Sequence, residues 1–506
     1  MLPGPQDLFC TDLPTHPRPN VGKILVAGAT GYVGGRLVPD LLSRGYSLRV
    51  MVRNRIDDTD KWPNTEVVVA DALKESQLNN ALEGIQVAYY LIHSLSLGLE
   101  EFADADMVAA ENFQKAATSK GLQRIIYLGG AGDEWSCRSI HLQNRLAVLK
   151  ILQQGAVPVT ALRAAIILGS GSASYEIIKN LVLNLPVILL PSWAKNKCQP
   201  IAIRDVIKYL VGVLELDESI GQIYEIGGND ILTYEDMLKI CAKILGAKTF
   251  FGSFPYNNIS FYAYMTSLFT PVPAPIISCL MEGLKDNTVC SEDKITQLIP
   301  FQTLSYRESI IRALSREEQD QVYTRWSDAY PPAHELAIKL SELSEPPQFI
   351  SIYSLSTRKS APSLFDNMCK IGGKDGWFRN NWMWRLRGWV DRILLGVGTA
   401  RGRKSSQWIE ANDVIGFFRV ENIKRNELLL LRAEMKLPGR AWLEFCIENQ
   451  PNGGNLISVS AYFQTRSTFG KVYWYLFLPF HHIIFKNLLE DIDTRSSIEG
   501  AHNQLI

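Results

Sequence analysis

The chain has 506 residues, 52 Lys+Arg against 52 Asp+Glu for zero formal net charge, and a 46% hydrophobic composition. At roughly 150 residues per domain the length predicts about three domains. The charge balance argues against a nucleic-acid-binding protein, whose phosphate contacts need a basic excess, and 21% charged with 10% aromatic residues excludes wholesale disorder.

Residues 1–20 hold five prolines and neither a basic n-region nor an apolar h-region, so they read as a flexible tail rather than a secretory signal. Lys23 to Ala27 is a short apolar run of β type that leads directly into Gly28-Ala29-Thr30-Gly31-Tyr32-Val33-Gly34. Helical periodicity follows, with Val33, Leu37, Leu41 and Leu42 on one face until Gly45. Further strands are predicted at Ser47–Val52, Glu66–Ala70, Val87–Ile92, Arg124–Leu128 and Val159–Leu162. The intervening helices are placed at Glu75–Glu83, around Met107–Ser119 and at 139–153. This alternation predicts an α/β fold, a doubly wound Rossmann parallel sheet over residues 21–315 that includes a small substrate lobe from about residue 200. A polar, Pro-punctuated linker is placed at 316–345. Strand-like alternation then returns, and 346–495 is expected to form an α+β domain closed by a helix at about 470–492, with a tail at 496–506.

The eight cysteines show no C-x-x-C pair or cluster; they read as reduced thiols of a cytoplasmic protein, and no metal site is expected. Two apolar stretches bear on membranes. Phe254–Met281 lacks formal charge but is broken by Pro255, Pro271, Pro273 and Pro275, and Val472–Phe485 is too short to span. Both are expected to form core or ligand-cavity wall, with interfacial membrane contact as the alternative. The stripe of Trp377, Phe378, Trp382, Trp384 and Trp389, interleaved with Arg379, Arg385 and Arg387, reads as core with snorkelling arginines; a nucleic-acid or membrane surface is the alternative. The adjacent His481 and His482 point about 100° apart on a helix and do not suit one metal.

The glycine motif follows a strand and opens a helix, the context that gives it mechanical meaning. Gly28 permits a tight turn, Gly31 lets main-chain N–H groups approach a pyrophosphate, and Gly34 allows close helix–sheet packing. The helix N-terminus favours phosphate. Arg53 stands at the end of the second strand, where an acid would select NAD; it pairs with a 2′-phosphate, so NADP is favoured and NAD is the alternative.

The string AGATGYVGGRL, Asp71 after the third strand, YYLIHSL after the fourth, LRAAIILGSGSASYE and QPIAIRDV together resemble the atypical short-chain dehydrogenase/reductases, nearest their YbjT-like subgroup. The resemblance covers about residues 21–315. It implies cofactor contacts from Gly28, Thr30, Gly31, Tyr32, Val33, Gly34, Arg53, Asp71, Ala72, Ile92, His93 and Arg145. Residues 346–495 are similar to the uncharacterised domain that follows this subgroup, which implies a START/polyketide-cyclase-like helix-grip fold suited to apolar ligands. The chain departs from the usual Ser and Tyr-x-x-x-Lys set: the helix after the fifth strand has His141 and Arg145 at the Tyr and Lys positions, and no hydroxyl stands in Leu128–Gly132.

Spacing of i, i+4 puts His141 and Arg145 on one helix face. A neighbouring guanidinium disfavours the imidazolium, so His141 is a poor acid unless a carboxylate or substrate restores its pKa, and Arg145 suits a fixed donor to ribose or an oxyanion. These residues lead to an NADPH-dependent oxidoreductase acting on a small apolar carbonyl or quinone-like substrate. The competing class is a non-catalytic NADPH-binding sensor or a subunit in the assembly of a protein complex, since related atypical members resemble redox-sensing regulators or an accessory subunit of respiratory complex I.

Overall fold

A computed structural model of the chain describes residues 8–53, 62, 64–93, 99–131, 139–318, 324–328, 338–373, 376–399, 401, 403, 409–451 and 453–497. The chain divides into two compact units, residues 1–330 and 331–506.

The first unit is built on β1 (Ile24–Ala27), α1 (Gly34–Ser43), β2 (Leu48–Val52), β3 (Glu66–Val69), α2 (Glu75–Ala81), β4 (Val87–Tyr90), α3 (Leu99–Ser119), β5 (Arg124–Gly130), α4 (Ile140–Gln153) and β6 (Val159–Ala164). The connection to the last sheet strand adds β7 (Ile167–Leu168), α5 (Ala173–Asn184), β8 (Val187–Leu190), β9 (Lys197–Cys198), β10 (Ile201–Ala202), α6 (Ile203–Leu214) and β11 (Ile223–Ile226). Seven strands form one parallel sheet in the order β11-β6-β5-β4-β1-β2-β3. Its central strands are covered on both faces, which is why they read as unbroken apolar runs. Leu37, Val38 and Leu41 of α1 join Val206, Ile207 and Leu210 of α6 in one core. Leu78 of α2, Phe113 of α3 and Val148 and Leu152 of α4 form the core on the opposite side. The doubly wound Rossmann architecture is therefore the one expected.

The lobe continues with β12 (Leu232–Thr233), α7 (Tyr234–Leu245), β13 (Phe250–Ser253), α8 (Ile259–Phe269), α9 (Ala274–Glu282), α10 (Lys294–Leu298) and α11 (Tyr306–Glu318). Its two-stranded sheets were not legible, because pairs such as Lys197–Cys198 with Leu232–Thr233 are too short to show a period. The uncharged stretch splits at its prolines into α8 and α9; part of it is core, but Phe261, Met265 and Phe269 of α8 face outward.

The second unit contains β14 (Phe349–Thr357), α12 (Ala361–Met368), α13 (Asn381–Ile393), β15 (Val414–Ile415), β16 (Phe418–Lys424), β17 (Leu428–Ala433), β18 (Arg440–Asn449), β19 (Asn455–Gln464) and α14 (Thr468–Arg495). Its antiparallel sheet has the order β14-β19-β18-β17-β16-β15, and α14 packs on β14 and β19. Glu434, fully buried, receives hydrogen bonds from Arg401 and Arg419, both at 2.6 Å.

Three expectations change. The segment 8–20 is not a free tail: Asp40 in α1 is buried and accepts the main-chain N–H groups of Phe9 and Cys10 at 2.8 Å, while Arg44 donates to the carbonyls of Cys10 and Thr15. The buried Asp40 on α1 and the half-buried Arg44 at its C-terminal end thus supply the tertiary partners that a proline-rich composition does not reveal. The expected linker at 316–345 also begins too early, since α11 runs to Glu318 and residues 324–328 lie against the first unit: Arg36 donates to Thr324 Oγ1, and Trp326 N–H to the Gly171 carbonyl. The remainder of that span at 319–323 and 329–337, and the tail at 498–506, lie outside the described residues. Finally, the tryptophan stripe divides. Trp377 stacks on Trp384 with centroids 4.1 Å apart in the core, whereas Trp382 and Trp389 are 64% and 59% exposed.

Candidate functional site

Strand order reverses between β1 and β4, so the chain leaves these neighbours toward opposite faces and opens a crevice beyond their C-terminal ends. Gly28 follows β1, Arg53 follows β2, Asp71 lies two residues past β3, and Ile92 and His93 follow β4. α4 brings His141 and Arg145 to the end of β5.

The glycine loop is pressed onto this edge. Gly28 has φ 91°, and a Cβ there would lie 2.7 Å from the Leu91 carbonyl oxygen; one on Gly34, the first residue of α1, would lie 2.2 Å from the Gly28 oxygen. Such close approach presents main chain and a helix N-terminus to a ligand, which fits the pyrophosphate of a dinucleotide. The Gly31 N–H is spent inside the loop on the Gly28 oxygen at 3.0 Å. Thr30 is half-buried, and Val33 caps α1. The Tyr32 ring lies under the Arg36 guanidinium at 4.2 Å with its hydroxyl against Gly169, so the side chain serves packing around the loop after β7.

Arg53 is exposed, one residue beyond β2, beside the Gly28 turn. Asp71 shapes the turn into α2: its Oδ1 accepts from the Leu73 N–H at 3.1 Å, and its own N–H donates to Gln77. The buried Ala72 offers its carbonyl to Asn112 of α3.

On the β4 side, five side chains converge. Arg145, 5% exposed, donates to the Leu128 carbonyl at 3.0 Å and lies 3.3 Å from His93 Nδ1 and 3.5 Å from Asp106 Oδ2 and the Ile92 carbonyl. Asp106, 1% exposed, also lies 3.4 Å from His93 Nδ1 and accepts from Asn144 at 3.5 Å. The His141 and His93 rings are 5.2 Å apart. Burial, followed by the nearby His93 and Arg145, holds His141 well below the ordinary imidazole pKa, with Asp106 opposing. Burial and Arg145 depress His93 to about 4, again against Asp106. Near pH 7 both rings are neutral, able to donate and accept hydrogen bonds but poor stores of a proton.

Arg145 therefore spends its terminal nitrogens on protein acceptors, so it organises His93 and Asp106 rather than standing ready as the donor its spacing implied. Asp106 and Asn144 were missed. The signal for Asp106 was present: the buried face of α3 runs Ala109, Ala110, Phe113, Ala116 and Ala117, and one turn earlier the same face carries Asp106. Beginning the helix at Met107 instead of Leu99 hid it. α9, the second half of the uncharged stretch, packs against α4.

Residues 28–178 match a family model described as NAD(P)H-binding, so the first unit carries an NAD(P)H-binding domain. Residues 344–488 match a family described only as a protein of unknown function, DUF2867. The photosystem II assembly factor Ycf39 of Trieres chinensis is 21% identical over 44% of this chain and 69% of its own length. The chloroplastic divinyl chlorophyllide a 8-vinyl-reductase of Arabidopsis thaliana is 22% identical over 47% of this chain and 61% of its own. Among solved structures, a nucleoside-diphosphate-sugar epimerase of Staphylococcus aureus superposes with a TM-score of 0.47 at 16% identity, over 57% of this chain and 99% of that one.

Proposed function

We propose that the first unit is an NADPH-dependent oxidoreductase for an apolar carbonyl or quinone-like substrate, with its reaction centre at the crevice between β1 and β4. The observation that carries this reading is the cluster of His93, Asp106, His141 and Arg145 on the opposite side of that crevice from the glycine loop. The cofactor, when bound, supplies hydride chemistry. The glycine loop and the N-terminus of α1 hold its phosphates, Arg53 meets the 2′-phosphate, and Asp71, Ala72, Ile92 and His93 line the remaining strand ends. His141 is the substrate-facing donor: a neutral imidazole N–H polarises a carbonyl without needing a charged ring, because it stabilises developing negative charge in a dry site. Arg145, fixed by Asp106 and Leu128, is a positioning residue whose positive charge keeps the rings neutral. Orientation and electrostatics of this kind suffice for hydride transfer without the usual Tyr. The apolar character of α9 beside α4 supports an apolar substrate, and the START-like reading of the second unit would supply a further apolar-ligand fold.

A second reading is a non-catalytic NADPH-binding subunit in the assembly of a protein complex. It is favoured by the internal commitment of Arg145 and by the likeness to an assembly factor. Incubation with NADPH and a panel of hydrophobic ketones, enones and quinones, followed by cofactor fluorescence, separates the two. The reductase reading expects acceptor-dependent loss of NADPH; saturable binding with no loss across the panel would establish the second.

A further inference from the structure

The second unit carries an apolar surface that its own fold leaves uncovered. Trp384 of α13 packs on Phe418 of β16 at 5.9 Å, and Trp474 of α14 stacks on Phe463 of β19 at 5.8 Å. Val420, Leu431, Leu443 and Ala461 are directly opposed across β16 to β19. Opposed residues share a sheet face, and Phe418 and Phe463 each stand two positions from that row, so both rings point the same way. α13 and α14 thus belong to one helical layer, with their outer sides directed away from the sheet on the same side.

Those outer sides are apolar. On α13, Trp382, Leu386, Trp389 and Ile393 follow i, i+4, i+7, i+11 spacing and are 64, 55, 59 and 40% exposed. From Val472 to Phe485 α14 carries no Lys, Arg, Asp or Glu and is apolar on both its inner and outer sides: Trp474 and Phe485 face inward, while Val472, Leu476, Phe480 and Ile483, with Phe469 before them, face outward and are 44–71% exposed. A helix apolar on every side is ordinarily buried on every side. No helix among the described residues is long and apolar enough to cross a membrane.

The exposed charges of α13 and of α14 as far as Leu489 are of one sign; beyond it, Glu490 and Asp491 pair with Arg379 at 3.6 and 2.8 Å. α14 has no acid from Thr468 to Leu489, and its outward Lys471 and Lys486 are exposed. α13 exposes Arg385, and its single acid, Asp391, is buried, accepting the N–H groups of Gly398 and Lys436. Outward tryptophans beside basic side chains, on helices lying flat over a sheet, have the composition of an interfacial surface.

We propose that this helical layer docks in the plane of an anionic phospholipid surface, its apolar side chains entering the acyl boundary and Arg385, Lys471 and Lys486 meeting lipid phosphates. A second copy fits less well, because a two-fold interface pairs the same face of both chains and would bring two surfaces of like positive charge together. The proposal rests on the second unit alone and stands whether or not the first unit is a reductase.

The test is flotation of the full chain with vesicles of phosphatidylcholine, alone or with about one third phosphatidylglycerol, with molecular mass measured in their absence. The expected result is binding to the anionic vesicles at least about tenfold tighter than to the neutral ones, together with a blue shift of tryptophan emission. Leu476→Glu and Trp389→Glu, both at exposed positions, are expected to abolish binding while leaving NADPH binding intact, and R385E/K471E to remove the preference for anionic lipid. Absence of binding to either vesicle, binding unaffected by these substitutions, or a dimer in solution that Leu476→Glu dissociates would each overturn the proposal.

Discussion

At the scale of single residues, the site is governed by burial set against a small number of charges. His93 illustrates the sign. Its folded pKa, about 4, lies below the unfolded 6.5, so between those values the unfolded chain binds more protons and stability rises with pH. The native state should therefore lose on the order of 3 kcal/mol through His93 as pH falls from about 6.5 to 4. His481, depressed to about 4 by burial, adds a similar loss in the second unit. Denaturant unfolding of the first unit across that window should show a shallower slope for His93→Gln than for wild type; parallel slopes would mean that His93 is already protonated in the folded protein. Arg53 bears on cofactor choice. Arg53→Ala should weaken NADPH by roughly tenfold or more, the worth of a charge-assisted hydrogen bond, and leave NADH nearly unchanged. Equal loss for both, measured by fluorescence titration, would remove the 2′-phosphate from its role. The glycines and Arg53 were singled out by motif spacing and strand–turn–helix context, and His141 and Arg145 by standing at the Tyr and Lys positions of the family pattern that the chain resembles. Asp106 was not, since a carboxylate just ahead of the expected helix start at Met107 resembles an ordinary solvated charge until the inner face of α3 is known.

At the scale of elements, legibility followed burial. β1 and β4 could be read because a strand covered on both faces is apolar throughout, and β2 because only Arg49 interrupts its apolar run. Pro271 and Pro273 separate α8 from α9, and Pro275 sits in the first turn of α9. The N-terminal segment and residues 324–328 were misread for a common reason: each is fixed by polar contacts from distant residues, Asp40 and Arg44 in one case and Arg36 in the other, and local composition holds no record of them. The second unit depends on a buried ionic element of the same kind. Although burial alone would raise its pKa, Arg419 and Arg401 bring Glu434 down to about 2. Its stabilising contribution is complete above the unfolded carboxyl pKa and is lost as pH falls toward 2. Glu434→Gln should cost about 3–5 kcal/mol, because it leaves buried guanidiniums without their carboxylate. Loss of near-ultraviolet circular dichroism from the aromatic-rich second unit at a lower denaturant concentration would report it. An unchanged midpoint would show that the arginines find other partners.

At the scale of the whole molecule, zero net charge conceals two local arrangements. In the first unit Arg53 and the N-terminus of α1 are the groups proposed to meet an anionic dinucleotide, and the second unit turns basic and apolar side chains outward together. The doubly wound sheet was legible from strand–helix alternation, and the strands of the second unit and its terminal helix from the change of period after residue 346; that those strands pair antiparallel was not. The short lobe strands and the outward tryptophans were not, because two-residue strands have no period and a Trp-Arg stripe has the same sequence whether its rings face core or solvent. The proposed role of His141, as the donor that polarises the substrate in an NADPH-dependent reaction, is the step on which the function turns. It is tested most directly by steady-state NADPH oxidation on the best acceptor from the panel, comparing wild type with His141→Ala at saturating cofactor. The prediction is turnover by wild type and a fall in kcat of roughly a hundredfold or more in the variant with NADPH affinity retained; equal turnover by the two proteins would contradict it.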